Sequence, residues 1–206
     1  MATLKLVIFD CDGVMFDSLD ANRHYYNHIL AHFGHPGMSA EELGYVHVHH
    51  VMDSIRHIFR NYPGDYPAAV AYRQGLDYTP YLQYMRMEPD LPEFLSFLRP
   101  RYKTAISTNR ADTMAKVLAL FDLRDSFEKV VTVLDVAQPK PHPEALCQIL
   151  DYFSCRAEEA IYIGDSLVDR EHTAAVGMRL IAFKSPTLSA EFWVDSFMAI
   201  TKLPIF

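Results

Sequence analysis

The sequence predicts an α/β protein: a doubly wound parallel sheet with a small all-helical cap inserted after the first strand. Three observations carry this. An unbroken apolar run, Leu6-Val7-Ile8-Phe9, stops at Asp10-Cys11-Asp12-Gly13, as expected of a strand buried on both faces of a parallel sheet. From about residue 89 onward, short apolar runs alternate with helical periodicities, the pattern of βα units with right-handed crossovers. The intervening stretch has helical periodicities and almost no strand-like run. The expected division is residues 1–17 and 88–206 for the core and 18–87 for the cap.

The elements follow in order. Tyr25, Ile29 and Phe33 recur at four-residue steps as one apolar stripe, until His35-Pro36-Gly37 breaks the helix. Ser39 and Glu42 have capping-box spacing. Val51, Ile55, Ile58 and Phe59 mark a further apolar face, Asn61 to Asp65 reads as a turn, and short helices are expected over 67–74 and 79–85. Asp90 with Glu93 offers another capping-box start, for a helix that buries Phe94, Leu95 and Leu98. Lys103–Ser107 reads as the second strand, running into Thr108-Asn109-Arg110, with a helix over 111–121. The third strand is expected over 130–134, before the Pro-rich stretch around Lys140, and a helix follows through Leu146, Ile149, Leu150 and Phe153. A fourth strand over 160–163 ends in Gly164-Asp165-Ser166, and the next helix finishes at Gly177, a natural C′ residue. A fifth strand covers 179–183, and the tail from 192 adds a minor strand and a short helix.

Composition sets the class. Of 206 residues, 50% are hydrophobic and 13% aromatic, enough for a packed core. A formal net charge of -7 argues against a nucleic-acid or anionic-membrane surface. No apolar run approaches the roughly 20 residues that cross a bilayer. Leu4-Lys5-Leu6 leads straight into the first strand, so no signal peptide is expected upstream of the motif. Cys11, Cys147 and Cys155 are odd in number and lack metal-type spacing, which fits a reduced compartment. Cys11 reads as a small buried hydrophobe. The expectation is a soluble, acidic, cytoplasmic protein, monomer or homodimer.

Four strands end in polar residues: Asp10 and Asp12, Thr108 and Asn109, Lys140 beyond the third, and Asp165 with Asp169. Such ends gather on one edge of the sheet, where open α/β sheets hold their ligands. In a strand, Asp10 and Asp12 would face the same side. Two such charges require compensation, by a divalent cation or by a raised pKa on one of them. Each residue type suits phosphoryl transfer: Lys140 as a point charge, Thr108 as a neutral donor, the aspartates as hard oxygen ligands. Each also has a plain structural reading. Thr108 and Asn109 suit a helix cap, Lys140 an exposed loop, and Asp165 and Asp169 a helix N-terminus. Four coincidences in order are less probable than one site.

Phe9-Asp10-Cys11-Asp12-Gly13-Val14, Ile106-Ser107-Thr108-Asn109, Lys140-Pro141-His142-Pro143-Glu144 and Ile163-Gly164-Asp165-Ser166-Leu167-Val168-Asp169 together give the resemblance. The chain resembles the haloacid-dehalogenase-like hydrolase superfamily, in its phosphoglycolate-phosphatase-like group with a helical cap on a Rossmann-like core. The resemblance implies a Mg²⁺-dependent phosphatase acting on a small phosphorylated metabolite, phosphoglycolate-like or a sugar phosphate. It implies Asp10 as the nucleophile that forms an aspartyl-phosphate, and Asp12 as the group that protonates the leaving oxygen and then activates water. Thr108 would bind phosphate, with Asn109 reaching it through its backbone amide, and Lys140 would neutralise nucleophile and phosphate. Asp10, Asp165 and the backbone carbonyl of Asp12 would hold Mg²⁺, with Asp169 in support. The alternatives are a phosphosugar mutase of the β-phosphoglucomutase type and a catalytically silent binding or regulatory member.

The cap gives less. His24, His28, His32 and His35 form one histidine-rich patch and His47, His49, His50 and His57 another. His28 and His32, four apart, could share a metal, but no third ligand is identifiable and a packing or solvated role is favoured. His47, Arg56 or Arg60 could reach a substrate's leaving group.

Overall fold

The computed structural model describes residues 3–49 and 51–206, the side chains of residues 47 and 48 excepted. In chain order the first elements are β1 (Leu6–Phe9), β2 (Phe16–Asp17), α1 (Leu19–His32), α2 (Ala40–Val48), α3 (Val51–Ile58), α4 (Tyr66–Gly75) and β3 (Arg86–Met87). Then come α5 (Leu91–Leu98), β4 (Lys103–Ser107), α6 (Met114–Leu120), β5 (Lys129–Val131) and α7 (Glu144–Phe153). The chain closes with β6 (Ala160–Gly164), α8 (Leu167–Ala174), β7 (Arg179–Phe183), β8 (Phe192–Val194) and α9 (Phe197–Ile200). Two compact units result: Met1–Phe16 with Met87–Phe206, and Asp17–Arg86.

The first unit is a six-stranded sheet of order β5-β4-β1-β6-β7-β8, parallel throughout. Strand order reverses about β1, so a crevice opens at its carboxyl end. Register makes the neighbouring ends level: Phe9 lies beside Ile106 of β4 and Ile163 of β6. The residues just beyond are Asp10, Thr108 and Asp165, which therefore share one edge. Every side chain of β1 is fully buried. Leu6 and Ile8 join the aliphatic cluster with Ala105, Leu146, Ile149 and Tyr162. Phe9 faces an aromatic layer, 5.5 Å from Phe127 and 5.9 Å from Phe197 in edge-on and tilted contacts. Burial of each such side chain is worth about 1.5–3 kcal/mol, so the strand that carries Asp10 is firmly anchored.

Three expectations shift. The third strand ends at Val131, because Thr132 and Asp135 make a reciprocal capping box around a 3₁₀ turn, leaving Leu134 exposed. The helix expected from residue 111 starts at Met114. Asp90 makes no side-chain cap on α5, since its carboxylate instead accepts from the Met198 amide in the first turn of α9.

The second unit is helical. Tyr25 and Ile29 of α1 are buried as the stripe predicts, and the Ser39–Glu42 capping box forms in both directions. Residues 79–84 wind as 3₁₀. Among the described residues, no helix is long and apolar enough to cross a membrane.

Candidate active site

Asp10 is the first residue past β1, fixed by its amide to the Ile163 carbonyl at 2.9 Å. Its Oδ1 accepts from the Cys11 amide at 2.7 Å and from Lys140 Nζ at 2.8 Å. Lys140 is almost wholly buried and also donates to Asp169 Oδ1 at 2.8 Å and to the Tyr162 hydroxyl at 3.0 Å. An ammonium has three N–H groups, so all three are matched. Burial alone would lower the Lys140 pKa; the charges of Asp10 and Asp169 outweigh it and hold the pKa well above its usual value. The Tyr162 hydroxyl donates in turn to the Ser107 carbonyl at 2.8 Å. Behind it His172 is fully buried, its Nε2 3.0 Å from Ser107 Oγ. Burial, then the Lys140 charge, pushes the His172 pKa down to about 4, so the imidazole is neutral.

Asp12 does not continue the strand. The chain turns sharply after β1, with the Met15 and Phe16 amides both on the Cys11 carbonyl. Gly13 has φ +80°, and a Cβ there would overlap Asp165 Oδ2, so both the turn and the approach of Asp165 require glycine. The two aspartates are compensated separately. Arg110 grips Asp12 as a fork, Nε to Oδ2 at 3.0 Å and Nη2 to Oδ1 at 2.5 Å. Its Nη1 rests on Thr113 Oγ1 at 3.0 Å. Cys11, buried between them, has its thiol pKa raised by burial and by the Asp12 charge, which makes it inert.

Thr108 is buried, and its Oγ1 accepts from the Arg110 amide at 3.1 Å, leaving its hydroxyl proton to donate elsewhere. Asn109 makes two reciprocal bonds with the Lys140 backbone, its Nδ2 to the carbonyl at 3.1 Å and its Oδ1 from the amide at 2.9 Å. The side chain thus fixes the loop that presents Lys140.

Asp169 Oδ2 accepts from Ser166 Oγ at 2.7 Å and from the Asp165 and Ser166 amides at 3.2 Å. The first turn of α8 is capped this way. Burial would raise the Asp169 pKa, but Lys140 and these bonds hold it below the usual range. Asp165 differs. Burial, with the charges of Asp10 and Asp169, pushes its pKa up to about 8, while burial and Asp169 push Asp10 up to about 7 against the pull of Lys140.

Asp10, Asp165 and Asp169 bring carboxylate oxygens within 4.8 Å of one another. Hard oxygen donors at this spacing fit Mg²⁺, and the raised Asp10 and Asp165 are buried carboxylates that lack sufficient positive charge. The residues therefore fit a divalent cation, with Asp10 and Asp165 the better ligands because both oxygens of Asp169 already have partners.

No second cluster of three such ligands occurs among the described residues. His28 Nε2 bonds the Tyr72 hydroxyl at 2.9 Å and His32 stacks on the same ring at 3.8 Å. Arg60 pairs with Glu42 and Arg56 with Asp53. His50 and the side chain of His47 lie outside the described residues.

Sequence reasoning missed Arg110, Tyr162 and His172. Arg110 follows directly on the motif that ends β4, which places it at the site edge. A tyrosine in a doubly buried strand needs a hydroxyl partner, and His172 lies three residues from Asp169, on the same helix face.

The parallel α/β core thus brings aspartates, a lysine and a threonine together beyond its central strand, a set of residues suited to phosphoryl transfer. Comparison makes this specific: residues 7–183 match the model of the haloacid dehalogenase-like hydrolases, and the chain belongs to that family. A subfamily IA hydrolase structure from Geobacter sulfurreducens is 37% identical, with TM-score 0.85 over 96% of this chain and 95% of that one. A structure from Lactobacillus plantarum, provisionally named a phosphoglycolate phosphatase, shares the fold over 100% of both chains at TM-score 0.84 and 15% identity. A provisionally named pyrophosphatase PpaX of Caldanaerobacter subterraneus is 32% identical over 111 residues, 53% of this chain and 50% of that protein. The match thus spans half the length of that relative.

Proposed function

We propose that the protein is a Mg²⁺-dependent phosphatase that hydrolyses a small phosphorylated metabolite through an aspartyl-phosphate on Asp10. The observation that carries this is the Asp10 carboxylate held 2.8 Å from a buried Lys140 ammonium, with a second carboxylate, Asp12, held independently beside it. Asp10 attacks phosphorus while Asp12 gives a proton to the leaving oxygen as the P–O bond breaks. Asp12 then takes a proton from the water that attacks the phosphoaspartate, releasing inorganic phosphate and restoring Asp10. Thr108 donates to a phosphoryl oxygen, and Lys140 neutralises both nucleophile and phosphate. Asn109 and Asp169 position Lys140, and Asp169 supports the metal site by anchoring α8. Mg²⁺, held by Asp10, Asp165 and the Asp12 carbonyl, would supply charge neutralisation at the phosphoryl oxygens. The names of the relatives, a pyrophosphatase and a phosphoglycolate phosphatase, support a small, highly anionic substrate.

The test is phosphate release from a panel of small phosphoesters and diphosphate, with and without Mg²⁺. Asp10→Asn, whose amide cannot attack phosphorus, is expected to lower turnover at least about 10⁴-fold with the fold intact by circular dichroism. Undiminished release by that variant would remove Asp10 from its role.

A further inference from the structure

Arg110 stands apart from the catalytic set just described. Its side chain is only 7% exposed, yet it grips a carboxylate that is 37% exposed, so a buried, anchored guanidinium meets a carboxylate that solvent and ligands can reach. Thr113 Oγ1, itself buried, holds the far nitrogen at 3.0 Å. An anchored fork of this kind recognises planar oxyanions in pairs. Asp12 must come within about 2.6–3.2 Å of the leaving oxygen. A guanidinium 3.0 Å from the same carboxylate therefore lies close to where the leaving group must sit. Both oxygens of Asp12 are engaged by Arg110, so Asp12 cannot turn one toward the leaving oxygen without giving up a bond to Arg110. An anion on the leaving group can take that bond over.

We propose that Arg110 is the specificity-determining residue of this site. It exchanges one of its bonds to Asp12 for an oxyanion on the leaving group, and so selects esters and anhydrides with a carboxylate or second phosphoryl group next to the scissile bond. The inference rests on the phosphatase reading and names its substrate class. A neutral leaving group offers Arg110 nothing in exchange, and leaves Asp12 clamped.

The experiment compares kcat/KM, with Mg²⁺, for 2-phosphoglycolate and inorganic diphosphate against the neutral-tailed 2-hydroxyethyl phosphate. The wild-type protein, Arg110→Gln and Arg110→Lys are each assayed. The wild type is expected to favour the anionic substrates by about 30-fold or more, since a site built for a polar group strongly rejects its absence. Arg110→Gln is expected to lose activity on every substrate through its contact with Asp12, but about 30-fold or more extra on the anionic ones, that extra loss lying mostly in KM. Arg110→Lys keeps the charge without the fork and should fall between; it also serves if the glutamine variant folds poorly. Whichever anionic substrate loses more identifies the carboxylate or the phosphoryl group as the natural partner. Equal losses on charged and neutral substrates would overturn the proposal and reduce Arg110 to a support for Asp12. A wild type that hydrolyses the panel without preferring anions would also overturn it while sparing the phosphatase reading. No phosphate release from any substrate would overturn both.

Discussion

In the α/β unit, charged side chains find one another across long stretches of chain, Arg110 and Asp12 being 98 positions apart. In the helical unit, histidines lie flat against tyrosines instead. His24 stacks on Tyr84, His32 on Tyr72 and His35 on Tyr62, while Tyr45 stacks with both His49 and His57, all between 3.5 and 3.8 Å. The first arrangement places ionised groups in low dielectric, where each one needs its partner and its removal strands another. The second packs imidazoles by ring contact, and their nitrogens bond local or exposed groups: His24 and His49 the carbonyls of Asp20 and Tyr45 at 2.8 Å, and His35 the Asp65 carboxylate at 2.9 Å. A cluster of chemistry-bearing residue types therefore signals chemistry only where the partners are charged, buried and mutually dependent.

The strongest way to break this contrast is Lys140→Met. The substitution leaves Asp10 and Asp169 facing each other without the ammonium now 2.8 Å from each. Removing one member of a buried charge group costs about 3–5 kcal/mol, so thermal unfolding should shift by several degrees as turnover disappears. Added Mg²⁺ should restore part of the lost stability. An unchanged melting temperature would show that the buried charges around Lys140 do not depend on it.

The same contrast explains what the sequence made legible. The parallel sheet and the gathering of Asp10, Asp12, Thr108, Lys140 and Asp165 at one edge are legible because apolar runs end at polar residues, and parallel register brings those ends level. Partner choice could not. Asp10 and Asp12 share a short motif, but the turn closed by Cys11 and permitted by Gly13 sends them to different cations. Nothing in the spacing says that Arg110 takes Asp12, or that the Asn109 side chain holds the Lys140 backbone. Within the apolar run of 160–163 Tyr162 counts as one more apolar residue, because periodicity registers its ring and not its hydroxyl. In the helical unit, His28 and His32 had metal-ligand spacing, and only the position of Tyr72 distinguishes a stack from a site.

A smaller effect sharpens the electrostatic half. Asp165 holds its proton to about pH 8 in the folded chain, whereas an unfolded aspartate releases it near 3.9. Between those values the folded state binds more protons than the unfolded one. Stability without divalent cations should therefore fall as pH rises from about 4 to about 8, then level off. Asp10, raised to about 7, acts in the same direction. Mg²⁺ competes with these protons, so the rise in melting temperature that it produces should grow between pH 6 and 8.5. Asp165→Asn should flatten the cation-free decline and remove most of the Mg²⁺ effect. A Mg²⁺ shift independent of pH would mean that the ion binds away from Asp165.

The smallest effects belong to the stacked histidines. In His32→Phe, a phenyl ring can take the place of the imidazole 3.8 Å from Tyr72, and stability should change by less than about 1 kcal/mol. His28→Phe also loses the exposed bond from His28 Nε2 to the Tyr72 hydroxyl, a loss of about 0.5–1.5 kcal/mol. Neither variant should alter the Mg²⁺ dependence of turnover, because the carboxylate cluster lies wholly in the other unit. Zinc titration followed by thermal unfolding provides the decisive contrast. If zinc stabilises the wild type and that gain vanishes in both variants, the pair is a metal site and the distinction between stacked and charged clusters fails. If zinc leaves all three proteins alike, the imidazoles are packing groups, and the i,i+4 spacing reflects one face of α1 resting on Tyr72.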